Sequence, residues 1–459
     1  MTPEEFRRAA HETVDWMADY MAHIRDLPVL PNVAPGDLTR ALPVESPLAS
    51  EPIERILADF RELIVPANTQ WNHPCFHAYF SVSGAPPGIL AEMLIATLNV
   101  NGMVWKSSPA ATELEQVTLG WLRDWLGLPR EFFGIIHDTA SVSTMHALIA
   151  ARQFVAPDSR VSGTPPGLIV YTSEHAHSSV EKGAVAIGIG QQNVRKVATD
   201  DRYRMRPDAL EAMIEADRAA GLLPCCVCPT VGTTSIASID PVAKIGEIAR
   251  REGMWMHVDG AYGGNYAVVP QMAHLRDGWA EADSIVVNPH KGLLTPVDLS
   301  AFYTRRPEVV RDALSLVPEY LRTAIDNQVV NFMEYSVALG HRFRSLKLWF
   351  ILRSYGRAAL EKLLYEQLCM AQDLADWVRA DSRFELCAPV ELSLVCFRLK
   401  AGDDASRALM DAVNASGRAF LSHTVIDGRF LIRLAIGNYQ TTRDDLRETW
   451  ALIQKTAGS

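Results

Sequence analysis

The chain has 459 residues, of which 48% are hydrophobic and 21% charged, with a formal net charge of −10. That length exceeds a single hydrophobic core, so two or three domains are expected; the acidic balance argues against a general binder of nucleic acid or anionic membrane, and no run of about 18 apolar residues marks a membrane span. The seven cysteines, three of them in PCCVCPT, have no zinc-ribbon spacing and read as buried thiols of a reducing, cytoplasmic compartment.

The N-terminus, MTPEEFRRAAHETVDWMADYM, is acidic and amphipathic, unlike a secretory leader. Phe6, Ala10, Val14, Met17, Met21 and Ile24 recur at helical spacing and give one apolar face. PVLPNVAPGDL carries three prolines and a glycine and is predicted to be extended. Residues 1–85 therefore form a helical arm with little core of its own, suited to packing on another subunit. From about 86 to 345, the runs FGIIHD, GLIVYTS, CCVCPTVG, MWMHVDG, SIVVNPH and LSAFYT recur, with helical stretches such as Thr144–Phe154 and Pro241–Glu252 between several of them. Continuous apolar strands between helices predict an α/β domain with a mostly parallel sheet covered on both faces. From 346 to 459, helices such as KLWFILRSYG and LLYEQLCMAQDLADWV precede the strand candidates SLVCFRL and FLIRLAIG, a small α+β domain.

Ligands of parallel sheets sit beyond the carboxyl ends of the strands. The polar tails there are His137-Asp138, Ser173, Thr230, Asp259 and Asn288 to Lys291. Lys291 interrupts two apolar segments, and a lysine is rarely buried without a partner. Thr139-Ala140-Ser141 opens a helix whose N–H groups can bind a phosphate, and His177 follows another strand. A lysine for an imine, a carboxylate for a pyridinium nitrogen, an aromatic ring and a phosphate cradle together make a pyridoxal 5'-phosphate (PLP) site. A metal hydrolase built on His175 and His177 lacks a third ligand at a recognisable spacing, so no metal is expected.

These residues stand in longer stretches that carry a family resemblance: HPCFHAYF, SSPAATELE, YTSEHAHSSVEKG, VGTTSIASID, HVDGAYGG, NPHK, LGHRFRSLKLWF and GRFLIRLAIGN. With them the chain resembles the PLP-dependent aromatic-L-amino-acid decarboxylases, group II decarboxylases of the aspartate-aminotransferase fold type I. The resemblance spans nearly the whole chain and implies a seven-stranded PLP domain. It implies that Lys291 holds the cofactor as an imine, Asp259 pairs with the pyridine nitrogen and His177 stacks on the ring. Ala140 and Ser141 then serve the phosphate, with Asn288 nearby, and Thr234 faces the cofactor. His290 meets the substrate carboxylate or the phosphate. Trp71, Tyr79, Phe80 and Val82 match substrate-pocket positions. Asn101 and Met103 match positions that reach in from the partner of a homodimer.

Two positions depart from the family. Gly292 follows the lysine where relatives usually carry tryptophan. Counting back from Gly340 without a gap puts Phe332 where relatives carry a loop tyrosine, the acid that protonates the carbanion. The expected reaction is decarboxylation of an aromatic L-amino acid, such as DOPA, tyrosine, tryptophan or phenylalanine, to the amine and carbon dioxide. Phe332 leaves open an oxygen-dependent aromatic acetaldehyde synthase, and both departures leave open a PLP-binding protein with little activity.

Overall fold

The computed structural model describes residues 1–316 and 328–458. Packing groups the chain into two compact units. One comprises Met1–Ser81, Leu374–Cys387 and Cys396–Ser459, and the other Val82–Asp373 with Ala388–Val395. The division at residues 85 and 345 describes the order of patterns along the sequence, whereas the units describe which residues pack together.

The larger unit is built on seven strands: β1 (Phe133–His137), β2 (Leu168–Ser173), β3 (Val194–Val197), β4 (Leu223–Cys228), β5 (Trp255–Asp259), β6 (Ser284–Val287) and β7 (Ser300–Thr304). Their order is β1-β7-β6-β5-β4-β2-β3. The pairs from β6 through β5, β4 and β2 to β3 are parallel, and β7 is antiparallel to both β1 and β6. Every residue of β2, β5, β6 and β7 is buried, as strands covered on both faces require. Cys225, Cys226 and Cys228 are free thiols buried on β4. The helix Ala140–Val155 leads on from β1 and contributes Ala147, Leu148, Ala150 and Ala151 to the core against Val170, Cys226 and Phe302. The predicted helix over 241–252 is Val242–Arg251.

The parallel register places the carboxyl ends together. Asp259 pairs with Val286 on one side and is bridged to Thr230 on the other. Ser173 ends β2 and Asn288 follows β6. This rim is where the sequence puts its chemistry.

A second sheet runs in the order β10-β11-β9-β8, with β8 (Phe384–Leu386), β9 (Leu394–Leu399), β10 (Ser422–Ile426) and β11 (Arg429–Ala435). β10 is antiparallel to β11, and β8 to β9. The helix Ser345–Ala380 is interrupted at Gly356, whose φ of 69° suits a residue without a Cβ. The first helix, Pro3–Ala22, starts with a capping box between Thr2 and Glu5 and buries none of its residues within this chain. PVLPNVAPGDL has no helix until Asp37, where the short helix Asp37–Ala41 starts after Gly36 at a φ of 88°. Among the described residues no helix is long and apolar enough to cross a membrane.

Candidate active site

Lys291 sits on one helical turn, Pro289–Gly292, directly after β6. Proline suits the first position of that turn because its missing N–H would have had no helical partner. The Asn288 N–H donates to the Ala261 carbonyl at 3.2 Å, and the Lys291 N–H to the Asn288 carbonyl at 2.9 Å. The turn is thus fastened to the segment that follows β5, the strand of Asp259.

Asp259 is only 4% exposed. Its Oδ1 accepts the Ala261 N–H at 3.1 Å, and its carbonyl accepts the Val231 N–H at 2.8 Å. Burial drives the Lys291 ammonium below its ordinary pKa, and the Asp259 charge opposes this. Loss of water around His177 lowers its pKa too; Asp259 raises it, and Lys291 and Lys182 lower it. The three side chains therefore share one electrostatic neighbourhood. His177 Nδ1 accepts the Ser179 N–H at 3.1 Å, which leaves Nε2 as the protonated nitrogen of the neutral ring.

The helix Ala140–Val155 opens beyond β1 with no side-chain cap from Thr139. Sixteen residues of aligned peptide dipoles thus end in a first turn suited to an anion. Ala140 is half-buried and Ser141 exposed. A buried polar chain ties this helix to the lysine turn. His137 Nδ1 and Ser143 Oγ are 3.0 Å apart, Ser143 Oγ and Ser300 Oγ 3.2 Å, and Ser300 Oγ donates to Asn288 Oδ1 at 2.7 Å. Ser143 and Ser300 were not picked out by sequence; their only signal is a hydroxyl on a buried face of an otherwise apolar element. Thr230 Oγ1 and Ser173 Oγ are buried at the same strand ends without a hydrogen-bond partner among the described residues. An anion site at a helix start, a buried carboxylate and a desolvated lysine are the donor set that a phosphorylated pyridine aldehyde needs, so the residues fit PLP.

His290 is buried, and its pKa falls to about 4, chiefly through burial with a further contribution from Lys291. Thr234 is exposed in the turn after β4, next to Thr233, whose Oγ1 lies 2.8 Å from Ser238 Oγ. Val82 is half-buried. Asn101 Oδ1 accepts the His341 N–H at 2.9 Å, and the Met103 carbonyl accepts the Met333 N–H at 3.1 Å. Trp71, Tyr79 and Phe80 belong to the smaller unit. There Trp71 stacks on Tyr79 with centroids 5.8 Å apart, Tyr79 adopts a φ of 52°, and the Arg433 guanidinium lies 5.3 Å over the Phe80 ring. A place for these three in a substrate pocket rests on the sequence resemblance.

Phe332 lies along the chain between the helices Pro307–Leu314 and Ser345–Ala380. It opens the turn Phe332–Tyr335, is 1% exposed and packs in the apolar core of the larger unit. Its ring stacks on His341 at 4.7 Å. Tyr335 is half-buried, with its ring 4.7 Å from Phe133. The residue reached by the ungapped count from Gly340 is thus a buried one.

At Gly292 a Cβ would lie 2.5 Å from Asn265 Cβ and 2.8 Å from its Cγ. Asn265 is fully buried, its Nδ2 donates to the Tyr262 carbonyl at 3.0 Å, and its Oδ1 has no partner among the described residues.

Known proteins resemble this chain over nearly its whole length. The pyridoxal-dependent decarboxylase conserved domain matches residues 35–400. The chain is 38% identical to an aromatic-L-amino-acid decarboxylase of Catharanthus roseus, covering 98% of this chain and 93% of that protein. It is 37% identical to a phenylacetaldehyde synthase of a Rosa hybrid cultivar, covering 100% and 94%. Among solved structures, Oryza sativa TDC with PLP and tryptamine superposes with a TM-score of 0.97 at 35% identity, covering 100% of this chain and 98% of that one.

Proposed function

The chain belongs to the pyridoxal-dependent decarboxylase family, an enzyme family that uses PLP, and within it we propose that this protein converts an aromatic L-amino acid to its amine and carbon dioxide. The observation that carries the proposal is the shared neighbourhood of Lys291, Asp259 and His177 at the carboxyl rim of the parallel sheet.

PLP supplies an electron sink for the pair left on Cα when the carboxylate departs. The protein's residues prepare that step. Burial of Lys291 favours its neutral amine, the form that attacks a carbonyl carbon. Asp259, fixed by the Ala261 N–H, holds a proton on the pyridine nitrogen. The Ser179 N–H orients the His177 ring, and the start of the helix Ala140–Val155 with Asn288 receives the phosphate. Thr234, Val82, Trp71, Tyr79 and Phe80 are assigned to the cofactor and substrate faces by resemblance.

A homodimer is part of this reading. The helix Pro3–Ala22 leaves Phe6 and Val14 exposed, and the helix Pro86–Leu98 leaves Leu90, Met93, Leu94 and Leu98 exposed. Apolar surface of this kind favours a second copy, with residues 1–85 as the dimerisation arm and Asn101 and Met103 offered to the partner's site.

A second reading, oxygen-dependent aldehyde synthesis, is favoured by the similarity to a phenylacetaldehyde synthase. The resemblance at Phe332 bears on it too, and that ring is buried against His341. The two readings separate on products, amine against peroxide.

A further inference from the structure

His290 precedes Lys291 on the same turn, and the Leu299 N–H donates to its Nδ1 at 3.1 Å. A nitrogen that accepts carries no proton, so the neutral imidazole keeps its proton on Nε2. The backbone that presents this N–H is held from the preceding residue. Arg344 Nε and Nη2 donate to the Asp298 carboxylate at 3.1 Å each, a two-point fork. Lys347, fully buried, stands 2.6 Å from Glu92 and 3.9 Å from Asp298. Arg342 also pairs with Glu92 and lies 3.8 Å from Asp298. Burial favours a neutral Asp298, but Arg344 and Lys347 outweigh it and hold the carboxyl below its ordinary pKa. The fork therefore persists at neutral pH.

We propose that Arg344 and Asp298 are positioning residues that set the tautomer of His290. By fixing the Asp298–Leu299 backbone they hold the Leu299 N–H on Nδ1, and so reserve Nε2–H as a donor to an anion. The anion is a phosphate or a carboxylate, and this part of the inference rests on the functional reading above. The tautomer itself does not. Replacing Arg344 by lysine keeps the charge but breaks the fork, and replacing Asp298 by asparagine keeps the shape but removes the charge.

The test is nitrogen NMR of the PLP-loaded enzyme with labelled histidine, with His290→Gln identifying its signal among the thirteen histidines. The wild type is expected to show Nε2 protonated and Nδ1 bare. Arg344→Lys and Asp298→Asn are expected to bring the other tautomer into exchange. They should also raise either the PLP Kd or the amino-acid KM by about tenfold, with a smaller change in kcat. A rise in the PLP Kd assigns the donor to the phosphate, and a rise in KM assigns it to the carboxylate. A wild-type proton on Nδ1, or unchanged His290 shifts in both variants, would overturn the proposal whatever happens to the melting temperature. The expected shifts in a protein that releases no carbon dioxide would support the tautomer lock and count against the functional reading instead.

Discussion

Asn265 occupies the space that a side chain on Gly292 would need, its Cβ 2.5 Å and its Cγ 2.8 Å from where a Cβ would stand. The glycine after the lysine is thus one half of an exchange of volume, with a fully buried asparagine as the other half. Close-packed interiors leave no other room for it.

That exchange has a measurable consequence. Gly292→Ala is expected to destabilise the protein by about 1–3 kcal/mol through overpacking. The Asn265→Ser change should restore most of that loss, because the two sites share one volume and their effects will not add. Denaturant unfolding of the two single variants and the double variant checks this. Additive losses would show that the two positions do not compete for space.

The cofactor lysine can be identified chemically. Borohydride reduction of the PLP-loaded protein is expected to fix the pyridoxyl mass on the peptide containing Lys291, and Lys291→Ala to abolish that label and the turnover. A label on Lys347 or Lys182 would contradict the assignment. Asp259→Asn is expected to keep the cofactor but slow turnover by about a hundredfold or more, since it removes a charge set in place for the reacting ring.

Stability should fall with acid before ordinary carboxylates titrate. Burial lowers His77 and His257 to about 4 from 6.5. The folded protein thus binds fewer protons than the unfolded chain between these values, so this stability is present above about pH 6.5 and is lost as pH falls toward 4. Unfolding free energies measured between pH 7 and 5 are expected to decline. The His77 Nδ1–H donates to the Ala435 carbonyl at 3.1 Å, a bond that asparagine can keep without titrating. His77→Asn should flatten the decline, and an unaltered slope would exclude His77 as a source.

Phe332→Tyr would insert a hydroxyl into an apolar core. The expected result is a loss of about 1–3 kcal/mol from an unpaired buried polar group, with the ratio of amine to peroxide unchanged. A changed ratio in Phe332→Tyr would assign the reaction switch to Phe332.

The strands and their polar ends were legible because buried parallel strands read as continuous apolar runs ending at the rim that binds ligands. β3 was not, since VRKV is a short edge strand with two charges at its centre, and β10, SHTVI, alternates too briefly to stand out. Lys291, Asp259 and His177 were singled out because each ends a strand or closely follows one. Asn265, Asp298 and Arg344 were not, because what they do depends on neighbours far along the chain: Gly292 for Asn265, and one another for the fork. The role of Phe332 was legible only by resemblance, because a count back from Gly340 gives a position along the chain and not the side chains around it.

Product stoichiometry tests the central claim most directly. The PLP-loaded protein would be incubated in air-saturated buffer with tryptophan, tyrosine, phenylalanine or L-DOPA, and carbon dioxide, amine and hydrogen peroxide measured together. The expected result is amine equal to carbon dioxide with little peroxide for at least one of these substrates. Peroxide equal to carbon dioxide with little amine, or no carbon dioxide from any of them, would contradict it.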